Sequence, residues 1–196
     1  MQMKALRAVF TIIAISVLSL TQSSRAEIAY ADGFEFFKAR QKTPVWCWAA
    51  CIQMMLNYKS VEWRQEDIVT AVKGYLKSET ASDGEIAQFL NQWGFDYDGA
   101  PWASRCAYYR GAPRPDWLVS ELAQDRPLIV SYQTGPRMGH VVVLHQVDFT
   151  PTDFGPVVNS VRIYDPFTDA HYSVNPQAVL QTTTAHWFVD VRKRRR

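Results

Sequence analysis

The sequence has no internal repeat, no low-complexity segment and no Gly/Ser-rich linker, and only 20% of its 196 residues are charged. Hydrophobic residues, in contrast, make up 47% of the chain and aromatic residues 13%. This composition excludes disordered, collagen-like and coiled-coil proteins, and it supplies the apolar side chains of a substantial core. At this length we expect one compact domain.

The chain also lacks a hydrophobic run as long as the roughly 20 residues that a membrane-spanning helix needs. The amino-terminal apolar stretch, residues 8–20, follows two basic residues and precedes Ser24 and Ala26, small residues at the positions that a signal peptidase reads. This pattern is typical of a secretory signal peptide, so we expect residues 1–26 to be removed. The mature chain, residues 27–196, is then periplasmic or secreted and has no membrane span. An uncleaved amino-terminal anchor is the alternative.

A strong net charge of either sign is missing as well, since 21 Lys and Arg nearly balance 19 Asp and Glu. Basic residues fill positions 192–196, so the rest of the mature chain is acidic. A basic face for nucleic acid is therefore absent, and we expect no nucleic-acid partner. The basic tail leaves attachment to a surface or to nucleic acid open as an added role. We expect a monomer.

Cysteine is scarce and odd in number, because Cys47, Cys51 and Cys106 are the only three. In an exported chain two cysteines can pair while the third remains a free thiol. The alternative at this point is that all three are buried residues without a chemical role.

Hydrophobic patterns predict helices in the first half of the chain. The apolar segment 46–58 predicts a central buried helix. A second, amphipathic helix is expected over 65–76, and a Ser-x-x-Glu capping box at Ser82 predicts a third helix that ends before Gly94. Residues 95–114 are rich in Gly, Pro, Asp and aromatic residues, and they predict a long loop or short irregular strands.

The second half is expected to be rich in strands. Pro115 at a first helical position predicts a helix over 116–124, and Asn175-Pro176 predicts a short one near the carboxyl end. Val, Ile and Tyr between turn residues predict strands at 127–133, 139–149, 159–165 and 186–191. Helices followed by antiparallel strands predict an α+β fold. We expect a helical half at about 41–125, a β half at about 127–191 and a cleft between them.

Cys47 lies at the start of the predicted central helix. The positive end of the helix dipole and the unpaired first amides favour a nucleophilic thiolate at such a position. Gln41, a few residues upstream, could add a side-chain donor to the Cys47 amide and so stabilise an oxyanion. A small core cysteine and a solvated glutamine are the plainer alternative.

His140 opens an apolar strand, and Asp165 closes the next one. Strand ends can present polar side chains to a cleft, so a base and its orienting carboxylate can meet there. His145 lies five residues beyond His140, and side chains alternate along a strand, so the two histidines should point to opposite faces unless a bulge intervenes. We expect His145 to be a neutral, hydrogen-bonded structural histidine.

The order Gln41, Cys47-Trp48, Gly139-His140 and Asp165-Pro166 resembles the papain-like cysteine peptidases. The resemblance is closer to compact bacterial branches, such as leader-cleaving peptidases of peptide exporters and papain-like effector proteases. Papain has Asn followed by Ser-Trp where this chain has Asp165-Pro166-Phe167.

The resemblance implies a papain-like fold and a thiol hydrolase that cleaves peptide or isopeptide bonds without a cofactor. It implies that Cys47 is the nucleophile, His140 the general acid and base, Asp165 the orienting third member and Gln41 the oxyanion donor. Acyl transfer or transpeptidation by the same residues, and a non-catalytic binding module of the same fold, are the alternatives.

Three further expectations concern residues near this constellation. Trp48 and Trp102 are candidates for contact with a peptide or protein substrate, and structural packing of the aromatic residues is the alternative. A free Cys47 leaves Cys51 and Cys106 to form a disulfide. Zinc binding by Cys47, Cys51 and His140 lacks a fourth ligand at a convincing spacing, so no metal is expected.

Overall fold

The computed structural model describes residues 25–136 and 138–193. The predicted signal peptide lies almost wholly outside the described residues, as do the last three residues of the basic tail. Within the described ranges no helix is both long and apolar enough to cross a membrane.

The helices and strands alternate irregularly along the chain. The helices are α1 (Cys47–Tyr58), α2 (Gln65–Lys73), α3 (Asp83–Phe89), α4 (Pro115–Leu122) and α5 (Pro176–Leu180), with a 3-10 helix at Phe34–Phe36. The strands are β1 (Glu27–Tyr30), β2 (Trp93–Phe95), β3 (Pro101–Arg110), β4 (Leu128–Gly135), β5 (Met138–Thr150), β6 (Val157–Asp165), β7 (Ala170–Val174) and β8 (Thr183–Lys193).

The strands form one antiparallel sheet in the order β2-β3-β8-β4-β5-β6-β7, with β1 beside the second half of β5. Alternate residues of β5 belong to two hydrophobic clusters: Val143 packs with α1, α2 and α3, and Val142 packs with α4 and α5. The sheet is therefore the middle layer, and the α+β prediction is confirmed.

Helix α1 is buried along most of its length, which explains its nearly uniform apolar sequence. Nine of its 12 residues are buried, since it packs against the sheet on one side and contacts α2 on another. The two tryptophans at its start are fixed by their indole N–H groups, from Trp46 to the Lys77 carbonyl and from Trp48 to the Glu79 carbonyl. The start of α1 is therefore a rigid position.

The predicted capping box at Ser82 is confirmed. The Glu85 amide donates to Ser82 Oγ at 3.3 Å, and the Ser82 amide donates to the Glu85 carboxylate at 2.7 Å. The helices predicted at 65–76 and from Pro115 are also present, although α2 ends at Lys73 before Gly74, whose φ of +81 suits a helix terminus.

The prediction of a loop or short irregular strands over 95–114 is wrong for most of this segment. Pro101–Arg110 is a regular strand of 10 residues, and it pairs along its length with β8. Trp102 and Ser104 are buried while Ala103 and Arg105 are exposed, so this part of the segment has the period of a strand. The alternation of buried and exposed residues is hard to recognise in the sequence, because turn-forming residues lie at both ends of the segment and charged residues lie on its solvent face.

The basic tail begins later than expected, because β8 runs to Lys193. The Lys193 ammonium pairs with the buried Asp96 carboxylate and donates to the Ser60 carbonyl at 2.7 Å. Strand β7, Ala170–Val174, was not predicted either, and it matters because it borders β6 next to Asp165.

Candidate active site

The structure places Cys47 at the first position of α1 with 9% of its surface exposed. The first intrahelical hydrogen bond runs from the Ala50 amide to the Trp46 carbonyl. The first amides of a helix have no acceptor within it, so the Cys47 N–H is available to a bound group. The thiol and a free donor therefore belong to the same residue.

His140 and Asp165 meet where β5 begins and β6 ends, because these antiparallel neighbours share that end of the sheet. His140 Nε2 lies 2.6 Å from Asp165 Oδ1, and the two side chains are 15% and 8% exposed. The carboxylate also accepts the Phe167 amide at 2.8 Å and the Tyr172 hydroxyl at 3.0 Å. Three donors thus fix the orientation of Asp165.

The electrostatics of this pair favour an imidazolium. Burial lowers the pKa of His140, but hydrogen bonds to Asp165 and Cys47 overcome that effect and raise it to about 9. Burial raises the pKa of Asp165, because it disfavours the carboxylate. The hydrogen bonds from His140 and the Phe167 amide outweigh burial and hold that pKa below its ordinary value. A charged pair is therefore the stable form.

Cys47 is the second side-chain partner of His140. Because Nε2 is engaged by Asp165, Nδ1 is the ring nitrogen left for the sulfur. The Tyr132 ring packs edge-on against His140 at 5.8 Å between centroids and shields the imidazole. The structure therefore brings together Cys47, His140 and Asp165, which lie far apart in the sequence.

Gln41 is tied to the same region through its backbone and its side chain. Its amide donates to the Pro166 carbonyl at 3.0 Å, in the turn that follows Asp165. Its Nε2 donates at 2.9 Å to the Thr43 carbonyl, which also accepts the Trp46 amide. One carbonyl group thus connects the Gln41 side chain with the residue before Cys47. The Gln41 Oε1 atom is buried without a partner.

The predicted disulfide between Cys51 and Cys106 is absent, since all three cysteines are free thiols. Cys51 Sγ donates to the Val141 carbonyl on β5 at 3.3 Å, whereas Cys106 lies on β3. Strands β8 and β4 separate β3 from β5, so β3 and β5 run roughly 14 Å apart at about 4.8 Å per strand. A disulfide needs Cα atoms within about 7 Å. Burial raises the pKa of both thiols, that of Cys106 to about 12.

The predicted substrate contacts of Trp48 and Trp102 are wrong. Trp48 is 2% exposed and Trp102 is 3% exposed. Trp48 packs in the core around α1, and Trp102 packs edge-on against Trp63 at 6.0 Å between ring centroids. Both are structural residues, because neither side chain reaches the surface.

His145 is the structural histidine that the sequence predicts. It is 2% exposed, its Nε2 lies 3.0 Å from His171 Nδ1, and it stacks on Phe34 on the α1 side of the sheet. Burial lowers the pKa of His145 to about 3, so it is neutral. The pairing of β5 with β6 shifts register between Leu144 and Gln146, at His145. His140 lies before this shift and contacts Asp165, whereas His145 contacts His171.

Two tyrosines beside the site are not among the residues that the sequence predicts. Tyr172 reaches Asp165 from β7, and Tyr132 reaches His140 from β4. No local signal marks either residue, since both roles depend on the order of strands in the sheet. Among the described residues no group of three or more His, Cys, Asp or Glu is placed to hold a metal ion.

Comparisons with solved structures give the fold. The peptidase domain of Streptococcus ComA, a bifunctional ABC transporter of a quorum-sensing pathway, has 15% identity and a TM-score of 0.53, and the match covers 79% of this chain and 97% of that one. A putative C39-like peptidase from Bacillus anthracis has 15% identity and a TM-score of 0.57, with 86% and 100% covered. A comparison with curated protein sequences finds no match.

The family model described as papain-like cysteine protease AvrRpt2 matches residues 34–182. The matched range is more than half of the chain, and it includes Gln41, Cys47, His140 and Asp165. Both structural neighbours are peptidases of the same α+β architecture. This chain is a cysteine peptidase, and it belongs to the AvrRpt2 family of papain-like cysteine proteases.

Proposed function

We propose that this peptidase is exported and cleaves peptide or isopeptide bonds in peptides or proteins through a triad of Cys47, His140 and Asp165. The observation that carries the proposal is the buried 2.6 Å contact between His140 Nε2 and Asp165 Oδ1. It leaves Nδ1 for the Cys47 sulfur at the start of α1, where the first amides have no acceptor within the helix.

Transfer of the Cys47 proton to His140 Nδ1 gives the imidazolium described above, and the resulting thiolate attacks the substrate carbonyl carbon. The carbonyl oxygen becomes an oxyanion, to which the Cys47 amide and the Gln41 side-chain amide donate hydrogen bonds. Asp165 holds the imidazole in place and stabilises its charged form, as the third group of a Ser-His-Asp site does.

In the second step the His140 imidazolium gives its proton to the leaving amine as the C–N bond breaks, and an acyl group remains on the Cys47 sulfur. His140 then removes a proton from water, which attacks the thioester. Release of the carboxylic acid restores the thiol. Each proton that His140 takes is returned within the cycle, so no cofactor is needed.

Export rests on the amino-terminal sequence. A basic start, an apolar stretch and small residues at the cleavage positions are typical of a signal peptide. The first described strand begins at Glu27, directly after the expected cleavage site. Cleavage there would leave every described strand and helix in the mature protein. Sequencing the amino terminus of protein recovered from the periplasm or the medium tests this part.

The catalytic part is tested with Cys47→Ala and His140→Ala, assayed on fluorescein-labelled casein. Cys51→Ala is the matched control, since it removes a thiol one turn further along the same helix. Each of the first two variants should lose about 10⁴-fold or more in rate, while the control keeps most of its activity. Retained turnover in a folded Cys47→Ala protein would overturn the triad. Acyl products formed with added amines, in place of hydrolysis products, would reassign the reaction to acyl transfer.

A further inference from the structure

The Gln65 side chain, which lies outside the proposed triad, forms hydrogen bonds with the backbone on both sides of Gln41. Gln65 Oε1 accepts the Lys42 amide at 3.0 Å, and Gln65 Nε2 donates to the Arg40 carbonyl at 2.9 Å. These two backbone groups flank Gln41 in the sequence. The side-chain amide of Gln65 thus accepts from the N–H group after Gln41 and donates to the carbonyl group before it.

Gln65 is itself held firmly. It is 1% exposed, it is the first residue of α2, and its Nε2 also donates to Gln53 Oε1 of α1 at 3.0 Å. A buried side chain with every polar atom paired has little freedom to rotate. Gln65 therefore connects the loop at residues 40–42 to both α2 and α1, and α1 begins at Cys47.

The backbone of Gln41 has a third fixed point. Its own amide donates to the Pro166 carbonyl at 3.0 Å, directly after Asp165. Three consecutive residues of the loop are thus held from two directions, by Gln65 and by the turn beside the proposed triad. The Gln41 side chain is held as well, since its Nε2 donates to the Thr43 carbonyl at 2.9 Å, and its Oε1 is buried without a partner.

We propose that Gln65 is a positioning residue for the oxyanion site, setting the place of Gln41 relative to Cys47. The inference rests on the proposed function, in which Gln41 donates to the oxyanion. The role needs a donor and an acceptor on one side chain of this length, which glutamine supplies. Misplacing a group by about 1 Å can cost about a hundredfold in rate.

A purely structural role for Gln65 gives different expectations. If Gln65 only joined α2 to the loop, its replacement would lower stability and affect every reaction of Cys47 alike. A positioning role lowers only those reactions that form an oxyanion. Alkylation of Cys47 by iodoacetamide is a displacement at a saturated carbon and forms no oxyanion, so it separates the two.

The experiment uses Gln65→Met, which keeps the length and removes both polar ends, and p-nitrophenyl acetate as the probe. The acylation rate constant, read from the p-nitrophenolate burst, should fall by about tenfold to a hundredfold. Iodoacetamide should still alkylate Cys47 at the wild-type rate. Lys42→Ala is the control, because it breaks the exposed Lys42–Glu66 ion pair but keeps the amide that Gln65 accepts; its acylation rate should be unchanged.

A double variant gives the decisive comparison. In a Gln41→Ala background, adding Gln65→Met should cause no further loss of acylation, because the group that Gln65 positions is already gone. Full additivity, or wild-type acylation in Gln65→Met, overturns the inference. Gln65→Glu, which keeps the acceptor and loses the donor, is measured in the same way if Gln65→Met unfolds.

The same data separate this inference from the proposed function. Loss of acylation in Gln41→Ala together with a wild-type rate in Gln65→Met overturns the positioning role alone. A wild-type rate in Gln41→Ala overturns the proposed oxyanion donor, and the inference fails with it.

Discussion

Replacing Asp165 by Asn should move the alkaline limit of hydrolysis toward neutral pH. Burial lowers the pKa of His140, but Asp165 and Cys47 together raise it from 6.5 to about 9. The contact of 2.6 Å is shielded from solvent, since the two side chains are 15% and 8% exposed. At about 1.4 kcal/mol per pH unit, the shift corresponds to about 3 kcal/mol in favour of the imidazolium.

Asparagine has the size of aspartate but no charge to stabilise the imidazolium. The bond to Asp165 raises the pKa of His140 more than the bond to Cys47 does, so its loss should lower that pKa by about one pH unit or more. His140 must be protonated to deliver a proton to the leaving amine, and the rate is lost as pH rises through its pKa. The alkaline limb should therefore move from about pH 9 in the wild type to about pH 8 or below in Asp165→Asn.

The assay is the pH dependence of kcat/KM for labelled casein at low substrate concentration. Asp169→Asn is the matched control, because Asp169 bonds the Tyr164 hydroxyl at 2.5 Å rather than His140. Its φ of +57 also suits asparagine. An alkaline limb that stays near pH 9 in Asp165→Asn, or that moves equally in Asp169→Asn, would refute the assignment of Asp165.

Three further predictions concern groups outside the proposed triad. Mass spectrometry of the denatured, non-reduced protein should find three alkylatable thiols, and a Cys51–Cys106 linkage would contradict the sheet order. The buried His145 keeps a pKa of about 3 against an ordinary 6.5, so the unfolded chain binds a proton that the folded chain does not between these values. The free energy of unfolding should therefore fall on acidification by about 1.4 kcal/mol per pH unit from this group. Urea unfolding at different pH values should show a weaker dependence of that free energy on pH in His145→Gln. An equal pH dependence in the variant and the wild type would count against the neutral state of His145. Ser82→Ala should lower the free energy of unfolding by about 1 kcal/mol through loss of the capping box with Glu85, and an unchanged urea midpoint would argue against that cap.

The sequence predicts those features that depend on local chemistry. Helix α1 could be placed to within one residue, because an almost wholly apolar segment of that length has to be buried. The capping box at Ser82 could be identified because its two partners are three residues apart. The α+β class follows from the order of the periodic segments.

The wrong predictions concern features that depend on tertiary arrangement. Strand β3 gains its regularity by pairing with β8 at the far end of the chain, which residues 101–110 cannot reveal alone. Trp48 adjoins Cys47 in the sequence, yet a helix turns by about 100° per residue, and the Trp48 side chain lies in the core. The Cys51–Cys106 disulfide was inferred from cysteine number, which carries no information on the two strands between β3 and β5.

The tyrosines around the proposed triad also depend on tertiary arrangement, and the sequence does not predict their contacts. Tyr172 contacts Asp165 only because β7 borders β6, and Tyr132 contacts His140 only because β4 borders β5. A search for catalytic residue types by order and spacing finds the reacting groups. It does not find the side chains that orient and shield them, because these lie on neighbouring strands at no fixed sequence distance.

The most direct test of the account is to trap the covalent intermediate. The protein is mixed with p-nitrophenyl acetate, quenched in acid during the burst, digested and analysed by mass spectrometry. We expect one acetyl group per burst equivalent on the peptide that contains Cys47, and none on the peptides that contain only His140 or Cys106. A burst with no acetyl group on Cys47, or with the acetyl group on Cys51 instead, would contradict the claim that Cys47 is the nucleophile.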